Sequence, residues 1–141
     1  MNFNIGIVGL GYVGGAVLNA YKLAGHEVHT YDLDASKNPT CTSFEEFLNK
    51  ANFIYVAVPT PMGPSGECDT RIVESVVYDL CMTDESKVIV IKSTVPPGTT
   101  ERLQQLHPNH TILFSPEFLT EANHLNDYLN QEIMLIGASS L

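Results

Sequence analysis

NIGIVGLGYVGG, residues 4–15, is an apolar run that breaks into glycines. Asn4 to Val8 reads as a short strand covered on both faces, and Tyr12 onward reads as a helix. Between them Gly9, Gly11 and Gly14 stand in GxGxxG spacing. Each glycine answers a different demand of a strand–turn–helix that meets a pyrophosphate. Gly9 allows the tight turn, Gly11 removes the Cβ that would block the phosphates, and Gly14 lets the helix pack close to the strand. The helix N-terminus offers its amides to the phosphates, which brings Tyr12 and Val13 into the candidate site. A glycine triplet alone is a weak signal. Here it follows an apolar strand, opens a helix, and is answered about 20 residues on by Asp32, where a carboxylate can take ribose hydroxyls. Asp32 would repel a 2′-phosphate and no Arg follows nearby, so NAD is expected rather than NADP. Asp34 is the competing acid in that loop, and Lys37 its only basic residue.

Outward from this turn, short runs rich in Ile, Val and Phe alternate with segments of helical period. Strands are expected at 4–8, 27–31, 53–58, 87–92, 111–114 and 132–136, and helices at 12–24, 43–50, 70–82, 98–106 and 118–129. FIYVAV and KVIVIK are almost wholly apolar, as strands buried on both faces are. Val73, Val76, Val77 and Leu80 form one helical stripe, with Asp69 placed to cap it. Thr42 and Glu45 have the spacing of a capping box. The alternation predicts an α/β fold: a Rossmann-type doubly wound parallel sheet of about six strands with helices on both faces. Six strands allow the order 3-2-1-4-5-6. No internal boundary interrupts residues 1–141, which are expected to form one NAD-binding domain.

Composition narrows the function classes. An apolar fraction of 44% with 16% charged residues is that of an ordinary globular chain. A formal charge of −9 argues against nucleic acid, whose phosphates need clustered Lys and Arg. The N-terminus has no basic region and is broken by glycines, so neither a signal peptide nor a membrane span is expected. Cys41, Cys68 and Cys81 are odd in number and share no CxxC spacing, which fits reduced thiols in a cytoplasmic setting.

In such a sheet, ligands bind outside the carboxyl ends of the strands. Three loops expected there are unusually marked: VPTPMG, KSTVPPGTT and SPEFLTEANHL. Pro59, Pro61, Pro96, Pro97 and Pro116 stiffen them, and Thr60, Ser93 and Thr94 supply hydroxyls. In the last loop Glu117, Glu121 and His124 would share a face if the segment were helical. That pattern is open to three readings: a metal site, an acid/base site or a solvated turn.

GxGYVG (9–14), VPTP (58–61), GECD (66–69), KSTVPPGT (92–99) and SPEFLTE (115–121) occur in this order in one family. Together with Asp127, Leu129 and the LIG of 135–137, they make the whole chain resemble the N-terminal NAD-binding domain of the UDP-glucose/GDP-mannose dehydrogenases. Members oxidise the primary alcohol of a sugar nucleotide to a carboxylate with two NAD and one water. The resemblance implies that Gly9, Gly11, Gly14 and Asp32 hold the adenosine and pyrophosphate. It places Thr60, Pro61, Ser93 and Thr94 along the path to the nicotinamide, with Thr94 near the reacting centre and Glu121 at the nicotinamide end. Glu117 would orient or deprotonate the hydrolytic water, and Phe118 and Leu119 would touch the sugar nucleotide.

The family's nucleophilic cysteine lies in a C-terminal sugar-nucleotide domain preceded by a long central helix. Neither is expected within these 141 residues, and none of the three cysteines matches that position. The stretch between Asp32 and Phe53 is shorter than in the family, and Ala122 stands where a glycine is common. The chain alone is thus expected to bind NAD without full turnover, to meet a UDP- or GDP-sugar once the further domain is supplied, and to leave room for an oligomer. Three alternatives remain: a non-catalytic NAD-binding or sensing module, another NAD-dependent dehydrogenase such as one acting on hydroxyacids, and a metal protein using Glu121-x-x-His124. The last needs a helical bundle that an α/β chain lacks. His26, His29, His107 and His110 read as surface or loop residues.

Overall fold

Parity along the strands decides how the sheet is covered. Ile54 and Val56 point to one face and Tyr55 to the other, and Ile89 and Ile91 are likewise separated from Val90. With both parities apolar, each strand needs cover on both sides. The computed structural model describes residues 3–139 and supplies that cover. The strands are β1 (Ile5–Val8), β2 (Val28–Tyr31), β3 (Phe53–Val56), β4 (Val88–Ile91), β5 (Thr111–Phe114) and β6 (Gly137–Ala138). The helices are α1 (Tyr12–Leu23), α2 (Phe44–Lys50), α3 (Arg71–Leu80), α4 (Thr99–Leu106) and α5 (His124–Leu129). Phe47 of α2, Val73, Val77 and Leu80 of α3, and Leu103 of α4 cover one face. Ala16 and Val17 of α1 and Tyr128 of α5 cover the other. This is the Rossmann-like α/β fold, wound on both faces.

The strand order is β2-β1-β3-β4-β5-β6, not the 3-2-1-4-5-6 that six strands also allow. β3 crosses over to pair with β1 rather than extending the sheet beyond β2. The first five strands are parallel and β6 is antiparallel to β5. The expected strand at 132–136 does not form. Ile133, Met134, Leu135 and Ile136 are exposed, and only Gly137 and Ala138 pair, with Phe114 and Leu113.

Helix ends show where local signals held. Gly25, at φ 81°, lets α1 stop: its amide bonds to Lys22 O and the next amide, of His26, to Tyr21 O. The α2 cap is shifted one residue from expectation. Ser43 Oγ accepts from Glu46 N (3.1 Å), and Glu46 Oε2 accepts from Thr42 N (2.8 Å). Thr70, not Asp69, occupies the cap position of α3, because Asp69 is engaged by the amide and guanidinium of Arg71. The helix expected over 118–129 begins only at His124.

Candidate functional site

The register aligns Val8 with Tyr31 and Val56, Val56 with Ile91, and Ile91 with Phe114. Five parallel strands therefore end on one line. The segments that follow them, carrying all the candidate residues, lie along a single edge of the sheet. Between β1 and β3 the winding reverses, and such a switch point is where doubly wound folds open a crevice.

The glycine turn sits at that point. Gly9 has φ 89°, and a Cβ on it would lie 2.5 Å from the Ala57 carbonyl oxygen at the end of β3. A Cβ on Gly14 would overlap Gly9 O, so α1 approaches the strand only without a side chain there. Gly11 differs from both, since a Cβ on it would meet nothing within 4 Å. It is the cap residue of α1, no side chain caps the helix start, and its first turn carries no acid. Open space before uncapped amides at Tyr12 and Val13 suits a pyrophosphate. Asp32 braces the turn by accepting from Leu10 N (2.7 Å) and Asp34 N (2.8 Å). A carboxylate has about four acceptor sites, so ribose hydroxyls can still be taken. Lys37 reaches the same turn, its ammonium 3.3 Å from Leu10 O. These residues fit a dinucleotide.

Along the edge, Ser93 is buried and its hydroxyl donates to Val58 O (2.7 Å), tying the end of β4 to the loop after β3. Cys68 Sγ contacts Thr94 O (3.4 Å) from the far side of that loop, which folds back through a bridge between Met62 and Cys68. Thr60 is half-buried, while Pro61 and Thr94 are exposed. A cavity of about 540 Å³ opens farther along, between Val95–Gly98 and β6, and takes in no residue of the glycine turn.

The loop after β5 is irregular up to a turn at 121–123, so Glu117, Glu121 and His124 do not share a helical face. This corrects the Glu-x-x-His pairing as well: Glu121 precedes α5, and its carbonyl oxygen is 2.9 Å from His124 Nδ1. The His124 ring stands edge-on to Tyr12, 5.2 Å between centroids, and so joins the end of this loop to the glycine turn. Asp127 pins the loop by accepting from Thr120 N (2.9 Å) and Thr120 Oγ1 (2.7 Å), and these bonds hold its carboxyl below the ordinary range. Phe118 is 73% exposed, Leu119 packs partly against the core, and Glu121 is exposed. Among the described residues no group of three His, Cys, Asp or Glu could hold a metal ion, and no helix is long and apolar enough to cross a membrane.

Glu117 is the exception among these loop acids, with a side chain only 9% exposed. Its Oε1 is in ion-pair contact with Lys92 Nζ, and no other donor among the described residues reaches either oxygen. Lys92 itself is buried, and its ammonium also donates to Ser115 Oγ (3.1 Å) and lies 5.7 Å from the Tyr128 ring centre. Burial pulls the Lys92 ammonium down to about 8. The sequence placed Lys92 only inside a motif. The missed signal was its parity: Lys92 shares the face of Val90, which α5 covers. His110 was misplaced as well, being buried with Nδ1 accepting from Lys87 N (3.3 Å).

Comparison with known proteins converges on the same family. The model of the UDP-glucose/GDP-mannose dehydrogenase family, NAD binding domain, matches residues 37–141. The putative UDP-glucose 6-dehydrogenase YtcA of Bacillus subtilis is 32% identical, over 93% of this chain and 38% of its own length. A UDP-glucose dehydrogenase from Pyrobaculum islandicum superposes with a TM-score of 0.85 at 27% identity, over 99% of this chain and 41% of that one. A GDP-mannose dehydrogenase from Pseudomonas aeruginosa shares the fold at a TM-score of 0.83 and 23% identity, over 96% of this chain and 41% of that one. The chain thus spans well under half the length of these relatives. With the glycine turn, the KSTVPPGT and SPEFLTE loops and the family match on one sheet edge, the chain belongs to the UDP-glucose/GDP-mannose dehydrogenase family and corresponds to its NAD-binding domain.

Proposed function

We propose that this chain binds NAD as the cofactor part of a nucleotide-sugar dehydrogenase that oxidises a sugar's primary alcohol to a carboxylate. The carrying observation is the glycine turn, where Gly11 faces open space before the uncapped start of α1 while Asp32 braces the turn from β2. Gly9, Gly11, Tyr12, Val13, Gly14 and Asp32 take the adenosine and pyrophosphate in this proposal. Thr60, Pro61, Ser93, Thr94 and Glu121 line the way to the nicotinamide. NAD, when bound, accepts a hydride from an alcohol. The protein's own tasks are to fix the reacting carbon, exclude bulk water and hold the one water the second oxidation needs. Glu117 is assigned to that water, Thr94 to the reacting centre, and Phe118 and Leu119 to the sugar nucleotide, a UDP- or GDP-sugar.

A self-contained NAD-sensing module would present a polar surface. The exposed run of Ile133, Met134, Leu135 and Ile136 instead supports a domain that works against further protein. Calorimetric titration with NAD, NADP and UDP-glucose tests the proposal. NAD binding with a clear preference over NADP is expected, and absence of NAD binding overturns it.

A further inference from the structure

Lys92 and Glu117 meet where β4 and β5 end, both more than nine-tenths buried. Simple clamping does not explain the pair. A buried ion pair costs desolvation at both ends, and apolar residues of similar volume often hold elements together as well or better. The fold also has a cheaper way to anchor a buried ammonium, since Lys87 uses the fixed carbonyls of Leu48 and Ala51. The carboxylate beside Lys87, Glu85, is solvent-exposed and 3.5 Å away, whereas at the other end of the same strand the ammonium meets a buried carboxylate that can change its charge. That carboxylate still has acceptor capacity that no described residue fills.

We propose that Lys92 is a positioning residue for Glu117: its buried ammonium keeps that carboxylate ionised and fixed at the sheet edge, so that Glu117 orients a donor. The assignment deepens, and rests on, the proposed role of Glu117 toward water. It also decides between the two tasks open to that residue. A nearby cation in a low-dielectric site favours the charged carboxylate and lowers its basicity, so Glu117 aligns a water through Oε2 more effectively than it removes a proton outright. The groups facing Lys92 are Glu117 from the loop after β5 and Tyr128 from α5. Tyr128 and Tyr55 behind it are raised by burial, which leaves Glu117 as the anion of the cluster at neutral pH.

The test is a carbon-13 NMR titration of the Glu117 carboxyl in the full 141-residue chain and in Lys92→Met, which keeps the unbranched stem without the ammonium. The midpoint is expected to rise by about 1–3 pH units when the ammonium is removed. An unchanged midpoint overturns the proposal, because the ammonium would then not be what keeps the carboxylate ionised. Should Lys92→Met fail to fold, Glu117→Gln reads the same coupling from the other partner. The Lys92 ammonium is then expected to titrate about one pH unit or more below its wild-type midpoint, and no shift again overturns the proposal. NAD calorimetry on the wild-type chain separates the two ideas. Coupled titration without NAD binding sinks the cofactor assignment and the purpose given to the pair. NAD binding without coupling sinks Lys92 alone.

Discussion

β4 carries a buried lysine immediately before it and another immediately after it, and the two do different things. Lys87, at the edge where the strands begin, donates to Leu48 O (2.9 Å) and Ala51 O (2.8 Å), carbonyls at the C-terminal end of α2. A cation suits that end of a helix, and neither acceptor can titrate. Lys92, at the edge where the strands end, meets the hydroxyl of Ser115 and the carboxylate of Glu117. One ammonium is held by two backbone carbonyls with an exposed carboxylate, Glu85, 3.5 Å away; the other meets a buried carboxylate. Burial alone, nearly equal at the two sites, would not tell them apart, and the chemistry of the partner does.

The largest effect that can break this contrast is the loss of Lys87. Lys87→Met strands two carbonyls that no longer have their donor, at a cost of about 2–4 kcal/mol. Because carbonyls do not titrate, denaturant melts should keep most of this loss across pH 5 to 8, with a small change only where His110, held down in part by Lys87, titrates. A loss that vanished toward one end of that range would make the two lysines equivalent after all.

Lys92→Met should lose about 1–4 kcal/mol at pH 8, the expected rise of about 1–3 pH units converted at about 1.4 kcal/mol per unit, and the loss should shrink toward pH 5. Without the ammonium, the native carboxylate of Glu117 takes a proton more readily than it does in the unfolded chain. The native state then binds more protons as pH falls through that midpoint, so the variant's stability rises on acidification. The same denaturant series measures both lysines, and parallel curves would sink the distinction between them.

The two lysines look alike in KVIVIK, yet strand parity already separates them. Lys87 lies with Ile89 and Ile91 on the face covered by α2, and Lys92 with Val90 on the face covered by α5. What parity cannot supply is the partner, because Glu117 arrives from a loop whose path depends on tertiary contacts. SPEFLTEANHL has helix-like spacing, but Pro116 and the Thr120–Asp127 bonds keep its first half irregular. Strand order was equally hidden, since β2-β1-β3 and a sheet extended past β2 have the same alternation along the chain. The glycine turn was more legible because much of its constraint is local: Gly14 is fixed by Gly9 O within the turn, and Gly9 by its φ of 89°, although the Ala57 carbonyl that also crowds Gly9 comes from β3.

That local character sharpens the contrast at the ligand edge. Gly11→Val puts a side chain into open space, so the fold should change by about 1 kcal/mol or less, as expected for a poorer cap residue. NAD affinity should nevertheless fall by about tenfold or more, a loss of about 1.4 kcal/mol in binding. Calorimetry beside a denaturant melt separates the two quantities. Unchanged NAD affinity would remove the pyrophosphate from this turn.

The smallest expected effect lies at the other end of the helix that Lys87 anchors. Glu46, in the first turn of α2, is held at about 2 by its bond to Lys50, with Thr42 adding to the effect. As pH falls, the unfolded chain takes up this proton near the ordinary 4.5, whereas the native chain does so only near 2. The unfolded state therefore binds more protons throughout that window. The contribution is fully present above about 4.5, is lost as pH falls toward 2, and changes no further below it. Glu46→Gln should flatten this stretch of the stability curve relative to wild type, and added salt should do part of the same, because the pair is solvated. Its window lies wholly below pH 5, apart from the range in which Lys92→Met recovers. The Glu46→Gln difference should be constant between pH 5 and 8, and a difference that changed with pH there would mean that the recovery of Lys92→Met in that range is not specific to Glu117.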